Sequence, residues 1–116
     1  MDTISEQLTA LGVDIEPTLK RFYGDCDLLV EMLHEFARED LAEQLPEALS
    51  QGDYTQIELI AHSVKGTSAN LGLVELSNRC NDAVQAVRAG TFDDMDKLVN
   101  AVVEQYRTVR AGISQL

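Results

Sequence analysis

The segment His62-Ser63-Val64-Lys65-Gly66 is where residue types and spacing in this sequence concentrate chemistry. A neutral imidazole keeps a lone pair on one ring nitrogen near neutral pH, so it can act as a nucleophile with no built-in acid–base partner. On a helix, residues three and four apart are neighbours. Lys65 can therefore swing its ammonium toward anything attached to His62, and Gly66 lies beside the ring. A glycine inside a helix costs up to about 1 kcal/mol relative to alanine, so Gly66 needs a reason. Room for a substituent on the imidazole, or for an approaching partner backbone, is one. From Leu59 through Val74 there is no Asp or Glu, although the chain holds 20 acids against 9 bases. Carboxylates would repel a phosphoryl dianion, and this gap makes the charge around His62 positive within an acidic body.

These residues need a helix to hold them, and apolar residues recur every three to four positions almost throughout, without alternating strand-like runs. Two short helices are expected first: Thr3 to Leu11 closed by Gly12, and Asp14 to Tyr23 closed by Gly24, with Asp14 as N-cap and Pro17 in the first turn. A long helix follows from Asp25 to about Gln51, carrying Leu29, Met32, Leu33 and Phe36 on one face, bent or interrupted at Pro46 and stopped by Gly52. Asp53 caps the next, which runs to about Asn70 with Ile57, Ile60, Ala61, Val64, Ser68 and Leu71 inward. The third long helix spans about Leu73 to Ala89, with Leu76, Cys80, Ala83, Val84 and Val87 inward. The fourth runs from Phe92 or Asp93 toward Gly112. Connections of two to three residues force sequential helices to be antiparallel neighbours. The expected fold is all-α, an antiparallel up-down-up-down four-helix bundle with short N-terminal helices packed as a brace. One domain over residues 1–116 is expected, with about 1–24 as the brace and about 25–112 as the bundle. At 100° per residue, His62 points roughly 150° away from the core stripe of its helix, toward solvent. The same phase puts Thr55, Glu58, Leu59 and Ala69 around it as a candidate docking rim.

Composition bounds the rest. At 116 residues and a net charge of −11, the chain offers one core and repels nucleic-acid backbones and anionic lipid surfaces. Partners are expected to be proteins, and the chain a cytoplasmic monomer: the start lacks a basic segment followed by an apolar run, and no apolar stretch reaches the ~20 residues that span a bilayer. Cys26 and Cys80 belong to no CxxC pair and have no histidine at ligand spacing, so they read as reduced thiols, Cys80 as core packing. No metal or cofactor site is expected on this chain. His34 lies on a polar helix side without the lysine and glycine that distinguish His62, and reads as surface.

Ala61-His62-Ser63-Val64-Lys65-Gly66 followed by Asn70-Leu71-Gly72 resembles the signature of histidine-containing phosphotransfer (HPt) domains of bacterial phosphorelays, and the likeness covers nearly the whole chain. Leu11-Gly12-Val13-Asp14, Gly24-Asp25 with Leu28-Leu29, Leu33 and Phe36, then Leu76 and Cys80, are similar to that family's spaced apolar and turn positions. The resemblance implies that His62 takes a phosphoryl group on Nε2 from a receiver-domain aspartate and delivers it to a response regulator. It further implies that Lys65 steadies the phosphoryl oxygens and Gly66 leaves them space. The receiver would supply the acidic pocket and Mg²⁺. Ala83-Val84 stands where many relatives have Leu-Glu, and Leu73 replaces a frequent alanine, so no phosphoryl-contacting residue is assigned on that helix.

Three other readings compete. In the phosphoacceptor segment of a histidine kinase, an acid normally follows the histidine and a proline comes soon after; here Ser63 follows, and no proline occurs beyond Pro46. The glycines are scattered singly, without a nucleotide-binding loop, so no ATP-dependent kinase activity is expected of this chain, whether free-standing or one domain of a hybrid sensor kinase. A phosphotransfer domain charged directly by a chemotaxis-type kinase carries a similar histidine motif, against which the Asn70-Leu71-Gly72 continuation weighs. A helical scaffold that merely binds a partner would keep its function without His62.

Overall fold

A computed structural model describes residues 3–116; Met1 and Asp2, which begin the expected brace, lie outside the described residues. The described chain is helical throughout: α1 (Thr3–Ala10), α2 (Ile15–Arg21), α3 (Cys26–Arg38), a 3₁₀ turn (Leu41–Gln44), α4 (Leu45–Ser50), α5 (Tyr54–Asn70), α6 (Val74–Ala89) and α7 (Met95–Ile113). Helix starts follow the capping logic. The Asp25 carboxylate accepts from the Leu28 amide at 3.0 Å and the Asp53 carboxylate from the Gln56 amide at 3.1 Å, each satisfying a donor that the first helical turn leaves without a partner. Asp14 precedes α2 but makes no side-chain cap.

Helix α5 packs most extensively on α6, and α6 on α7, while α3 and α4 close the bundle against α7 and α5. This is the expected up-down-up-down arrangement. Its core contains Leu29, Leu33, Ile57, Leu76, Val84 and Val99 with no exposed surface, each worth about 1.5–3 kcal/mol relative to full exposure. Cys80 belongs to that core, where burial pushes its thiol up to about 12, so it is inert packing.

The expected continuous helix from Asp25 to Gln51 is two helices, and Pro46 is not where it breaks. The α-helical path ends at Arg38, with Glu39 extended at φ −76°, ψ 136°, and resumes at Leu45. Pro46 occupies the first turn of α4, where a missing N–H costs nothing. The carbonyls stranded at the break are met from α7: the Tyr106 hydroxyl donates to the Glu39 carbonyl and lies 3.3 Å from that of Ala37. Arg107 grips the Glu43 carboxylate at 2.8 and 2.7 Å, holding the 3₁₀ turn on the same helix. Two smaller departures follow from local backbone. Helix α6 starts one residue late, because Leu73 is buried and forms an isolated antiparallel bridge with Val13. The α6–α7 connection covers residues 90–94 and α7 begins at Met95, so Phe92 is free to stack on Tyr54.

The brace grips one end of α5. Leu8 and Thr18 are fully buried, the Asp14 amide donates to the Gly72 carbonyl at 3.0 Å, and Arg21 donates to the carbonyls of Asn70 and Ala69 at 3.2 and 3.1 Å. Gly72 has φ +76°, and the Thr18 hydroxyl fills the space where a Cβ would go. Only glycine meets both demands.

Candidate functional site

Helix α5 is held at both ends. At its start the Asp53 cap is reinforced by Tyr54 stacked on Phe92, with ring centroids 4.0 Å apart and planes 7° from parallel. At its end Arg21 and the brace hold the last carbonyls, which an isolated helix leaves to solvent. His62 is the ninth of the seventeen residues, so both helix termini lie more than two turns away and their dipole charges fall outside its reach. What surrounds the imidazole is set by side chains.

Those side chains divide by flank. Ile57, Ile60, Ala61, Val64 and Ser68 are all buried, so the opposite face carrying His62 turns outward, and His62 is exposed. Neither ring nitrogen is hydrogen-bonded to another described residue. Gly66 is exposed beside it, and a Cβ added there meets nothing within 4 Å. Lys65 is half-buried on the flank next to α6, and among the described residues its ammonium makes no ion pair. The lysine's backbone is fixed from α6: the Ser77 hydroxyl donates to the Lys65 carbonyl at 3.2 Å, and Ser68 donates to that of Val64 at 2.6 Å.

Of the expected rim, Thr55 and Ala69 are exposed and Leu59 is 62% exposed. Glu58 differs from a free rim acid. It is half-buried, and its carboxylate accepts from Arg88 Nε of α6 at 3.1 Å. The acid at the other end of the carboxylate-free stretch, Glu75, is likewise paired, with Arg79 at 2.8 Å. Both flanking charges are thus countered, and the stretch is more positive than the sequence alone implies. Arg88, Ser77 and Arg21 were not read as site residues from sequence. The available signal is that Ser77, Val84 and Arg88 share one face of α6, but which helix that face meets is a tertiary fact. His34, read as surface, is half-buried. Among the described residues no three of His, Cys, Asp and Glu converge to hold a metal ion.

An exposed imidazole at the middle of a helix held at both ends, with an ammonium a turn away that makes no ion pair among the described residues and open space beside it, defines a site that can carry an anionic group on nitrogen. The fold that presents it is an antiparallel helical bundle. A family model, the Hpt domain, matches residues 28–115, and this chain belongs to that family. It is accordingly a histidine phosphotransfer domain of phosphorelay signalling. Among solved structures the fold is similar to the crystal structure of histidine-containing phosphotransfer protein B from Pseudomonas aeruginosa PAO1, with a TM-score of 0.72 and 23% identity, covering 90% of this chain and 92% of that one. A search of curated proteins gives no match.

Proposed function

We propose that His62 accepts a phosphoryl group from the phospho-aspartate of one receiver domain and delivers it to the aspartate of another. The observation that carries this is the exposed imidazole next to the open Gly66 and to Lys65, the imidazole free of hydrogen bonds and the ammonium of ion pairs among the described residues. In the forward step the Nε2 lone pair forms a P–N bond while the P–O bond to the receiver's aspartate breaks and the carboxylate leaves with its electron pair. The ring proton stays on Nδ1 during attack and passes to water afterwards, so no general base is required. In the return step Nδ1 takes a proton back from water, an aspartate oxygen attacks phosphorus, the P–N bond breaks and neutral imidazole leaves with its electron pair. Lys65 offsets the charge on the phosphoryl oxygens, and Gly66 admits them.

Phosphoryl transfer depends on positioning and on charge neutralisation. This chain supplies the nucleophile and its cation, and the receiver supplies the carboxylate pocket and Mg²⁺. Because His62, Lys65 and Gly66 share one helix, a monomer suffices, with Thr55, Leu59 and Ala69 at the rim of the surface that meets the receiver. The phosphoryl group comes from the receiver's phospho-aspartate, so the domain carries phosphate without using ATP. Its place of action is the cytoplasm, with receiver domains as partners; among the described residues no helix is long and apolar enough to cross a membrane.

The test is exchange with candidate receivers carrying labelled phosphate in the presence of Mg²⁺. Acid-labile, alkali-stable label is expected on the wild-type chain, and none on a folded His62→Gln variant. Equal labelling of that variant, or none of the wild type with any receiver of its own cell, contradicts the proposal.

A further inference from the structure

On its own helix, Glu58 is the one carboxylate within a turn of His62, at the i−4 position where helical side chains meet. Left free, it would oppose a phosphoryl dianion on the imidazole and favour imidazolium over the neutral nucleophile. Its negative charge is instead matched across the helix–helix boundary by Arg88 at 3.1 Å. The two side chains are 48% and 33% exposed for Arg88 and Glu58. A pair so open to water contributes little to stability, so holding α5 against α6 is a weak reason for it. The apolar seam between those helices already does that through Ala61, Val64, Cys80 and Val84.

We propose that Arg88 is a positioning residue for the phosphohistidine: by holding Glu58 in an interhelical ion pair, it cancels the carboxylate one turn away on the same helix and so raises the amount of phosphoryl group that His62 retains. This rests on the reading of His62 as the phosphoacceptor. The other charged group on this flank of α5 is Lys65. On α6, between Ser77 and Arg88, stand the neutral amides of Asn81 and Gln85, 3.4 Å apart and bonded to each other, together with the exposed Asp82. Arg88 therefore acts through Glu58, and its removal frees a negative charge as well as deleting a positive one.

The test compares wild type, Arg88→Gln and the double variant Glu58→Gln/Arg88→Gln, charged with phosphoramidate so that no receiver is needed. At about 20 mM salt, steady-state phosphohistidine followed by ³¹P NMR is expected to fall about two- to threefold in Arg88→Gln and to return to near wild type in the double variant. The difference should fade at about 500 mM salt, where the screening length is a few ångströms. Independently of phosphorylation, the midpoint of the His62 titration followed by NMR should move upward from wild type in Arg88→Gln and return in the double variant. Unchanged titration and occupancy in Arg88→Gln overturns the proposal. A double variant as poorly charged as the single one also overturns it, since Arg88 would then act on the phosphoryl group directly. If the wild type itself takes no phosphate on His62, the carrier reading fails, and the titration arm still decides whether Arg88 masks Glu58.

Discussion

At Gly66 the helix gives up intrinsic stability, and nothing in the packing explains it, since an added methyl group would meet no atom within 4 Å. Gly66→Ala should therefore stabilise the protein against urea by about 0.5–1 kcal/mol, the ordinary gain in an exposed helix interior. A larger residue there, as in Gly66→Gln, should slow phosphoryl exchange at least tenfold while circular dichroism stays unchanged. Wild-type exchange rates in Gly66→Gln would show that the glycine does not clear space for the phosphoryl group. Lys65 and Gly66 together make His62 different in kind from His34, which sits half-buried on α3 without either neighbour.

Between elements, the junction of α5 with the brace is where conformation and space are most tightly coupled. Gly72 adopts φ +76°, its carbonyl accepts the Asp14 amide, and Thr18 occupies the position of a side chain. Gly72→Ala must pay both for a left-handed backbone and for displacing a fully buried threonine, so a loss of about 2–4 kcal/mol is expected in denaturant unfolding. If the loss is below about 1 kcal/mol, the brace is not seated on α5 as described. The same junction explains why Arg21 matters to a site that it does not touch: it holds the carbonyls at the end of the helix that carries His62.

Over the whole molecule, charge is distributed so that an acidic body surrounds a locally positive strip. The 3₁₀ turn adds a pH-dependent tie to this body. The hydrogen bond from Arg107 holds the Glu43 carboxyl below its ordinary value of 4.5, aided by the charges of Arg107 and Arg110 and opposed by partial desolvation. A depressed folded-state value means that this contribution to stability is fully present above about pH 4.5 and disappears as the pH falls through the lower folded value. Thermal melts between pH 6 and pH 3 should show wild type losing more melting temperature than Glu43→Gln. Parallel losses would mean that the Arg107 grip does not persist in solution.

The parts of this protein legible in the sequence are those set by local periodicity and chemistry. The bundle, the inward stripe of α5, the outward direction of His62 and the neighbourhood of Lys65 and Gly66 all follow from 3.6-residue helical geometry, which needs no knowledge of what packs where. Proline is a strong local signal and points to a break at Pro46, whereas the break after Arg38 depends on the Tyr106 hydroxyl that accommodates the stranded carbonyls, 67 residues away from Glu39 in the chain. Arg88 is illegible locally for the same reason, standing 30 residues from Glu58. Helical phase assigns each residue to a face, but only the assembled bundle decides which faces meet, because antiparallel register is set by side-chain packing between helices. The outward direction of His62 is therefore readable from its own helix, whereas the electrostatics around it become readable only once α6 is laid alongside.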